Sequence, residues 1–231
     1  MASEKRRVLV LCASPRRDGN TWMLTDHFLD GARAAGHHAE AIDLGKAMNG
    51  VLRDCRSCRR PDGRCSIEDE YPALIHDLVL PADALVYATP LYWYGMSATL
   101  KNFFDRLVCY VSASYPRRDE VAEGLKDKRT ALLLASEERY PAAALSLIGQ
   151  LQEISRYFHH RFVGVVNGIG NTRGEVRFDP ADPLGAAREL GADIFDLHHS
   201  DYDLEAERPN AVWRQPRATA QDAVSNPYED T

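Results

Sequence analysis

The sequence predicts a doubly wound α/β sandwich, a parallel sheet covered by helices on both faces. Three observations carry this. Five short runs, RVLVLCA and ALVYAT among them, are apolar throughout rather than alternating, which is how strands buried on both faces read. Between them lie stretches with apolar residues at helical spacing. The 231 residues are 45% hydrophobic and 27% charged, enough for one large domain with a substantial core.

The elements follow in order. Arg7 to Ala13 reads as the first buried strand. Thr21 to Ala35 reads as a helix, on Met23, Leu24, Phe28, Leu29 and Ala32, with Gly36 as its stop signal. Ala39 to Leu44 is a second strand. Gly45 to Glu70 is a long polar stretch holding Cys55, Cys58 and Cys65. Tyr71 to Leu80 is a short helix ending before Pro81. Ala84 to Thr89 is the third strand, and Ser97 to Val111 a helix with Leu100, Phe103, Phe104 and Leu107 on one face. Arg129 to Ala135 is the fourth strand, Ala142 to Phe158 a helix, Phe162 to Asn167 the fifth strand and Asp182 to His198 the last helix. This gives one domain over residues 1–200. Beyond Ser200 the chain turns to Pro209, Pro216, Pro227 and many charges, with Trp213 and Tyr228 isolated. That composition predicts an extended tail over 201–231, disordered or packed along a partner subunit.

The formal net charge of -6 disfavours nucleic acid as a general partner. The apolar runs are too short for a membrane span, and MASEKRRVLV lacks the features of a secretory signal. Five cysteines, an odd count, speak for reduced thiols. Together these predict a cytoplasmic protein without membrane or nucleic-acid partners.

In a doubly wound sheet the ligand crevice lies beyond the carboxyl ends of the strands. The loop there after the first strand is SPRRDGNT. Ser14, Asn20 and Thr21 supply donors, Gly19 allows close backbone approach, and the next helix aims its free N–H groups at the loop. Arg16 and Arg17 can add charge-assisted hydrogen bonds. The loop reads as a phosphate cradle without the Gly-Lys-Ser/Thr of a P-loop. A phosphatase loop is disfavoured, because the position that should hold its arginine, relative to Cys12, holds Asp18. After the third strand comes PLYWYG. Three consecutive aromatics on a loop cannot all point inward, so a flat aromatic ligand is an economical reading.

The segments SPRRDGNT and TPLYWYGMSATLKNFFDR resemble the two signature segments of flavodoxin-like NAD(P)H-dependent FMN oxidoreductases, which include multimeric-flavodoxin-type quinone reductases and iron–sulfur flavoproteins. The resemblance spans Arg7 to Gly191. It implies a flavodoxin-like three-layer α/β/α sandwich with five parallel strands in the order 2-1-3-4-5. It implies FMN as cofactor and NADPH or NADH as cosubstrate, with flavin N5 carrying the chemistry and no obligatory catalytic acid or base. Ser14, Arg16, Asn20 and Thr21 would hold the phosphate, with Gly19 shaping the loop. Pro90, Leu91, Tyr92, Trp93, Tyr94 and Gly95 would hold the ring, and Gly95 would permit an unusual turn. Ser136, in ASEERY after the fourth strand, is a third contact, beside an unexpected Glu137 and Glu138. NGIGNTRG, after the fifth strand, also looks like the family's loop there.

Electrons would pass in ping-pong fashion to a quinone-, azo-, nitro- or flavin-type acceptor, in a pocket shaped by Tyr92 and Trp93. A flavodoxin-like electron carrier without its own NAD(P)H activity is the alternative, and a module that has lost the flavin a third. A homodimer or homotetramer is expected, because the crevice of this fold is shallow; Trp213 is a candidate cross-subunit contact. CRSCRRPDGRC has three of the four cysteines of the iron–sulfur members, so no metal is expected. Zinc completed by His76 or a neighbouring subunit, a redox-active Cys55–Cys58 pair, and plain reduced thiols remain open. Arg117 and Arg118 are candidates for a nucleotide phosphate or solvated surface residues. The paired histidines 37–38, 159–160 and 198–199 do not read as a metal site.

Overall fold

The structure is a computed structural model that describes residues 5–54 and 59–199. Its strands are β1 (Arg7–Cys12), β2 (His38–Asp43), β3 (Ala84–Tyr92), β4 (Gly95–Met96), β5 (Arg129–Ser136) and β6 (Arg161–Ile169). The five long strands are parallel in the order β2-β1-β3-β5-β6, which is the predicted order once the two-residue β4 is set aside. That sixth strand pairs antiparallel with the end of β3. The helices are α1 (Asn20–Ala34), α2 (Leu44–Ala47), α3 (Tyr71–Ala73, continuing as a π-helical turn through Val79), α4 (Ala98–Val111), α5 (Arg118–Gly124), α6 (Leu145–Tyr157) and α7 (Pro183–Asp193).

Side-chain alternation explains why the strands are apolar throughout. Val8, Val10 and Cys12 of β1 pack with α1 and α7, whereas Leu9 and Leu11 pack with α3, α4 and α6 on the other face. The α1–α7 contact is close because both helices carry glycine there. A Cβ at Gly31 would meet the Arg188 carbonyl at 1.9 Å, and one at Gly191 the Phe28 carbonyl at 2.1 Å.

Several boundaries differ from the sequence reading. β3 runs on through Pro90 to Tyr92, because by then it has outrun β1, whose last partner is Ala88, and the absent proline N–H costs no ladder bond there. α6 starts at Leu145, after a 3-10 turn over Pro141–Ala144. α7 stops at Asp193, and Arg129 donates to the Leu197 carbonyl beyond it. α5 is an addition; it buries Val121 alone, too little for an apolar period. Arg117 and Arg118, considered for a nucleotide phosphate, instead pair with Glu120 and Asp119.

The polar stretch before α3 is held by a buried ion pair. The guanidinium of Arg106, on α4, bonds both oxygens of Asp69 at 2.5 and 2.8 Å and lies 4.3 Å over the Tyr71 ring. Asp69 also accepts from the amides of Asn49 and Tyr71. Burial pushes its carboxyl upward, but the Arg106 bonds and these amides outweigh that and hold it below its ordinary value. Cys65 and the buried Cys12 and Cys109 form no disulfide among the described residues. Cys55 and Cys58, and the expected tail with Trp213 and Tyr228, lie outside the described residues. Among the described residues no three His, Cys, Asp or Glu side chains converge on a metal position. His76, considered as a zinc ligand, bonds the Tyr115 hydroxyl at 2.7 Å. No described helix is long and apolar enough to cross a membrane.

Candidate functional site

At the carboxyl ends of β1, β3, β5 and β6 lies a crevice of ≈ 210 Å³. Its floor is the loop from β1 to α1. The Gly19 amide bonds the Arg16 carbonyl at 2.9 Å, and a Cβ at Gly19 would sit 2.9 Å from that oxygen, so the turn requires glycine. The Trp22 indole donates to the Ser14 carbonyl at 3.2 Å and pins the loop from beneath. No side chain caps the start of α1; within the turn, the Met23 amide returns to the Gly19 carbonyl. The preceding amides of this fifteen-residue helix therefore open onto the crevice with the positive end of its dipole. Ser14, Arg16 and Thr21 line the same space, and Arg16 has no carboxylate partner among the described residues.

Two neighbours are engaged elsewhere. Arg17 turns away, 3.2 Å from Asp26 and 3.9 Å over the Trp22 ring. Asn20 lines the crevice, but its amide nitrogen donates to the Gly170 and Thr172 carbonyls at 2.9 and 3.0 Å, and its oxygen accepts from Val176 N at 3.3 Å. The side chain expected to donate to phosphate is instead a clamp between α1 and the loop after β6, and what Asn20 offers an anion is its backbone N–H.

Sequence reading marked that second loop as resembling the family's loop but named none of its residues as ligand contacts. Gly170 to Arg173 line the crevice opposite Ser14. Glu175 holds the loop in shape, accepting from the amides of Asn171 and Thr172 at 2.8 and 2.7 Å; these bonds hold its carboxyl below its ordinary value. Arg173 reaches 3.3 Å from Asp18 of the first loop. The signal that could have found them is the run GNTRGE, with small polar residues and an acid four places after Asn171.

The third wall is the β3–β4 hairpin. Leu91 pairs with Met96 and Tyr92 with Gly95, leaving Trp93 and Tyr94 as the two turn residues, at φ 50 and 61. Turns of this hand normally take Asn and Gly; bulky residues there cost on the order of 1 kcal/mol each. The unusual backbone thus falls on the two aromatics, not on Gly95, whose φ is not positive. The surroundings hold the turn. Ser146 donates to the Tyr94 carbonyl, and a hydrogen bond with Tyr94 pushes the Tyr140 phenol up to about 12. At its base the Thr89 and Ser97 hydroxyls are 3.1 Å apart, and Ser97 caps α4. Trp93 is 96% exposed.

Ser136 lines the crevice, but its hydroxyl donates to Asn167 Oδ1 at 3.2 Å rather than facing the opening. Pro90, Leu91 and Tyr92 face the cradle across the crevice. A second hollow of ≈ 430 Å³ continues along the hairpin. Cys12 is completely buried, and burial pushes its thiol up to about 12, which leaves no thiolate to attack a phosphate. The residues fit a ligand with an anionic end and a planar end, as FMN has. An uncapped helix start with two hydroxyls and the Arg16 guanidinium faces one end, and Pro90 to Tyr92 face the other.

Comparison with known proteins agrees. Residues 6–167 match the NADPH-dependent FMN reductase family. YwqN of Bacillus subtilis, assigned as an NAD(P)H-dependent FMN-containing oxidoreductase, is 29% identical over 184 residues, 80% of this chain and 96% of that protein. An iron–sulfur flavoprotein of Archaeoglobus fulgidus is 25% identical over 202 residues, covering 84% of this chain and 81% of its own. The structure of an NAD(P)H:quinone oxidoreductase from Methanothermobacter marburgensis shares the fold, with a TM-score of 0.65 at 22% identity over 86% of this chain and all of that one. The family match covers well over half of the sequence, and the chain belongs to the NADPH-dependent FMN reductase family, as an oxidoreductase that uses FMN with NADPH or NADH as cosubstrate.

Proposed function

We propose that the protein moves two electrons from NAD(P)H to a small planar acceptor of the quinone, azo, nitro or flavin kind by a ping-pong route. FMN, when bound, supplies the redox chemistry between the two substrates. In this reading Ser14, Arg16, Thr21 and the first amides of α1 hold the phosphate, Arg173 stands opposite, and Pro90 to Tyr92 flank the ring.

The observation that carries the reading is the shared wall. Leu91, Tyr92 and Glu137 line both the cradle crevice and the hollow beside the hairpin. A ring seated at Pro90–Tyr92 is then approached from one open side, so donor and acceptor occupy that side in turn. Initial-velocity measurements at several fixed acceptor concentrations test this: parallel double-reciprocal lines are expected, and lines that converge rule out the ping-pong order. We also propose that copies of the chain associate, since a fully exposed Trp93 on a strained turn is an unusual surface to leave to water. Light scattering of the purified holoprotein that returns the mass of one chain would refute this part.

A further inference from the structure

We infer that the acceptor side of this site selects planar cations. The inference rests on the function proposed above and names its substrate class. The hollow beside the hairpin is lined by Leu91, Tyr92, Trp93, Tyr94, Glu137 and Glu138. Three consecutive aromatic residues and two adjacent glutamates therefore border one space. Ring faces carry the negative part of the aromatic quadrupole, and such rings joined by carboxylates form the kind of cage that attracts cations. No Lys or Arg lines this hollow. The next cation in the chain, Arg139, lines a different hollow together with Glu175. A neutral acceptor would need neither carboxylate, and an anionic one would be repelled by both. The left-handed backbone at Tyr94 is tied by a hydrogen bond from Ser146 to its carbonyl, so the rings are presented at a cost in strain.

The electron balance suits a cation. NAD(P)H gives up a hydride equivalent, two electrons and one proton, and its ring becomes cationic. A planar cation such as a phenothiazinium dye takes the same equivalent and becomes neutral. Total charge is unchanged and no further proton is consumed. The neutral product also loses its attraction to Glu137 and Glu138, which favours its release.

The test uses the FMN-loaded protein and three probes: methylene blue as cation, naphthoquinone as neutral reference and a sulfonated naphthoquinone as anion. Binding is read from dye absorbance and equilibrium dialysis without NAD(P)H, and turnover from kcat/KM. Each probe is compared between wild type and the Glu137→Gln, Glu138→Gln double variant, so intrinsic differences between probes cancel. The cation-to-anion ratio is expected to fall about tenfold in the variant, in binding and in kcat/KM alike, and naphthoquinone reports any change common to the three probes. In the wild type the same ratio should shrink as salt is raised. Trp93→Ala should weaken all three probes together. A cation-to-anion ratio that is unchanged in the double variant and insensitive to salt overturns the inference. Charge-selective binding with no NAD(P)H oxidation by any probe would instead overturn the proposed function and leave the ligand class standing.

Discussion

Asn20 separates two accounts of the phosphate loop. A residue of this type at the start of a helix invites the role of a phosphate donor, but its amide makes three hydrogen bonds to the loop after β6. Asn20→Ala removes all three and leaves the amide of the fully buried Val176 without its partner. At about 1 kcal/mol net for each bond, the loss is about 2–3 kcal/mol of stability. For a domain of this size that is roughly 5–10 °C in Tm. The assay is thermal and urea unfolding of the protein stripped of FMN, where no phosphate contact can contribute. Asn20→Asp should be at least as damaging to the stripped protein, because a carboxylate would face the two carbonyls the amide now serves. It should also weaken FMN binding more than alanine does, by placing negative charge beside the phosphate site. If the stripped Asn20→Ala protein melts with the wild type while its FMN affinity falls tenfold, the clamp is wrong and the amide serves the phosphate directly.

Three other outcomes follow from the same geometry. Arg16→Ala should weaken FMN binding by about tenfold or more, the worth of one charge-assisted hydrogen bond, whereas Arg17→Ala should stay within about twofold, since Arg17 is spent on Asp26 and Trp22; equal losses in a fluorescence titration would contradict this. Arg106→Leu leaves the Asp69 carboxylate buried without its partner and should cost about 3–5 kcal/mol in urea unfolding; a loss near zero would mean that Asp69 is solvated. His160 donates to the Leu125 carbonyl from a buried position, and burial lowers its pKa to about 4 from an ordinary 6.5. Its folded pKa lies below the unfolded one, so the unfolded chain takes the proton first. Stability from this residue is full above about pH 6.5 and is lost as pH falls toward 4, by up to about 3 kcal/mol. His160→Gln, which keeps a donor for Leu125, should flatten stability across that window, and an unchanged profile would refute the assignment.

What the sequence makes legible follows from how far each residue's partner lies along the chain. The strands are legible because burial on both faces writes itself into consecutive residues: Val8, Val10 and Cys12 answer to α1 and α7, Leu9 and Leu11 to the opposite helices. The cradle is legible because a helix start, its preceding glycine and its flanking hydroxyls are contiguous. The polar groups that fix the site are different. Asp69 and Arg106 are 37 positions apart, and each alone has the look of a solvated surface charge. Asn20 finds its carbonyls 150 and 152 residues away, so nothing local distinguishes a clamp from a phosphate ligand. The hairpin shows a third kind of failure. PLYWYG has its glycine one place past the turn, and the left-handed positions are filled by Trp93 and Tyr94. Local preference would put the left-handed conformation on the glycine; here it falls on the aromatics, with Ser146 bonded to the Tyr94 carbonyl. Such a departure is maintained against a cost, and what it accomplishes is to set two aromatic rings beside Glu137 and Glu138. In the proposed reading, two of the residues that depart from local rules shape the acceptor side, while the phosphate side is built from a helix start and its contiguous loop.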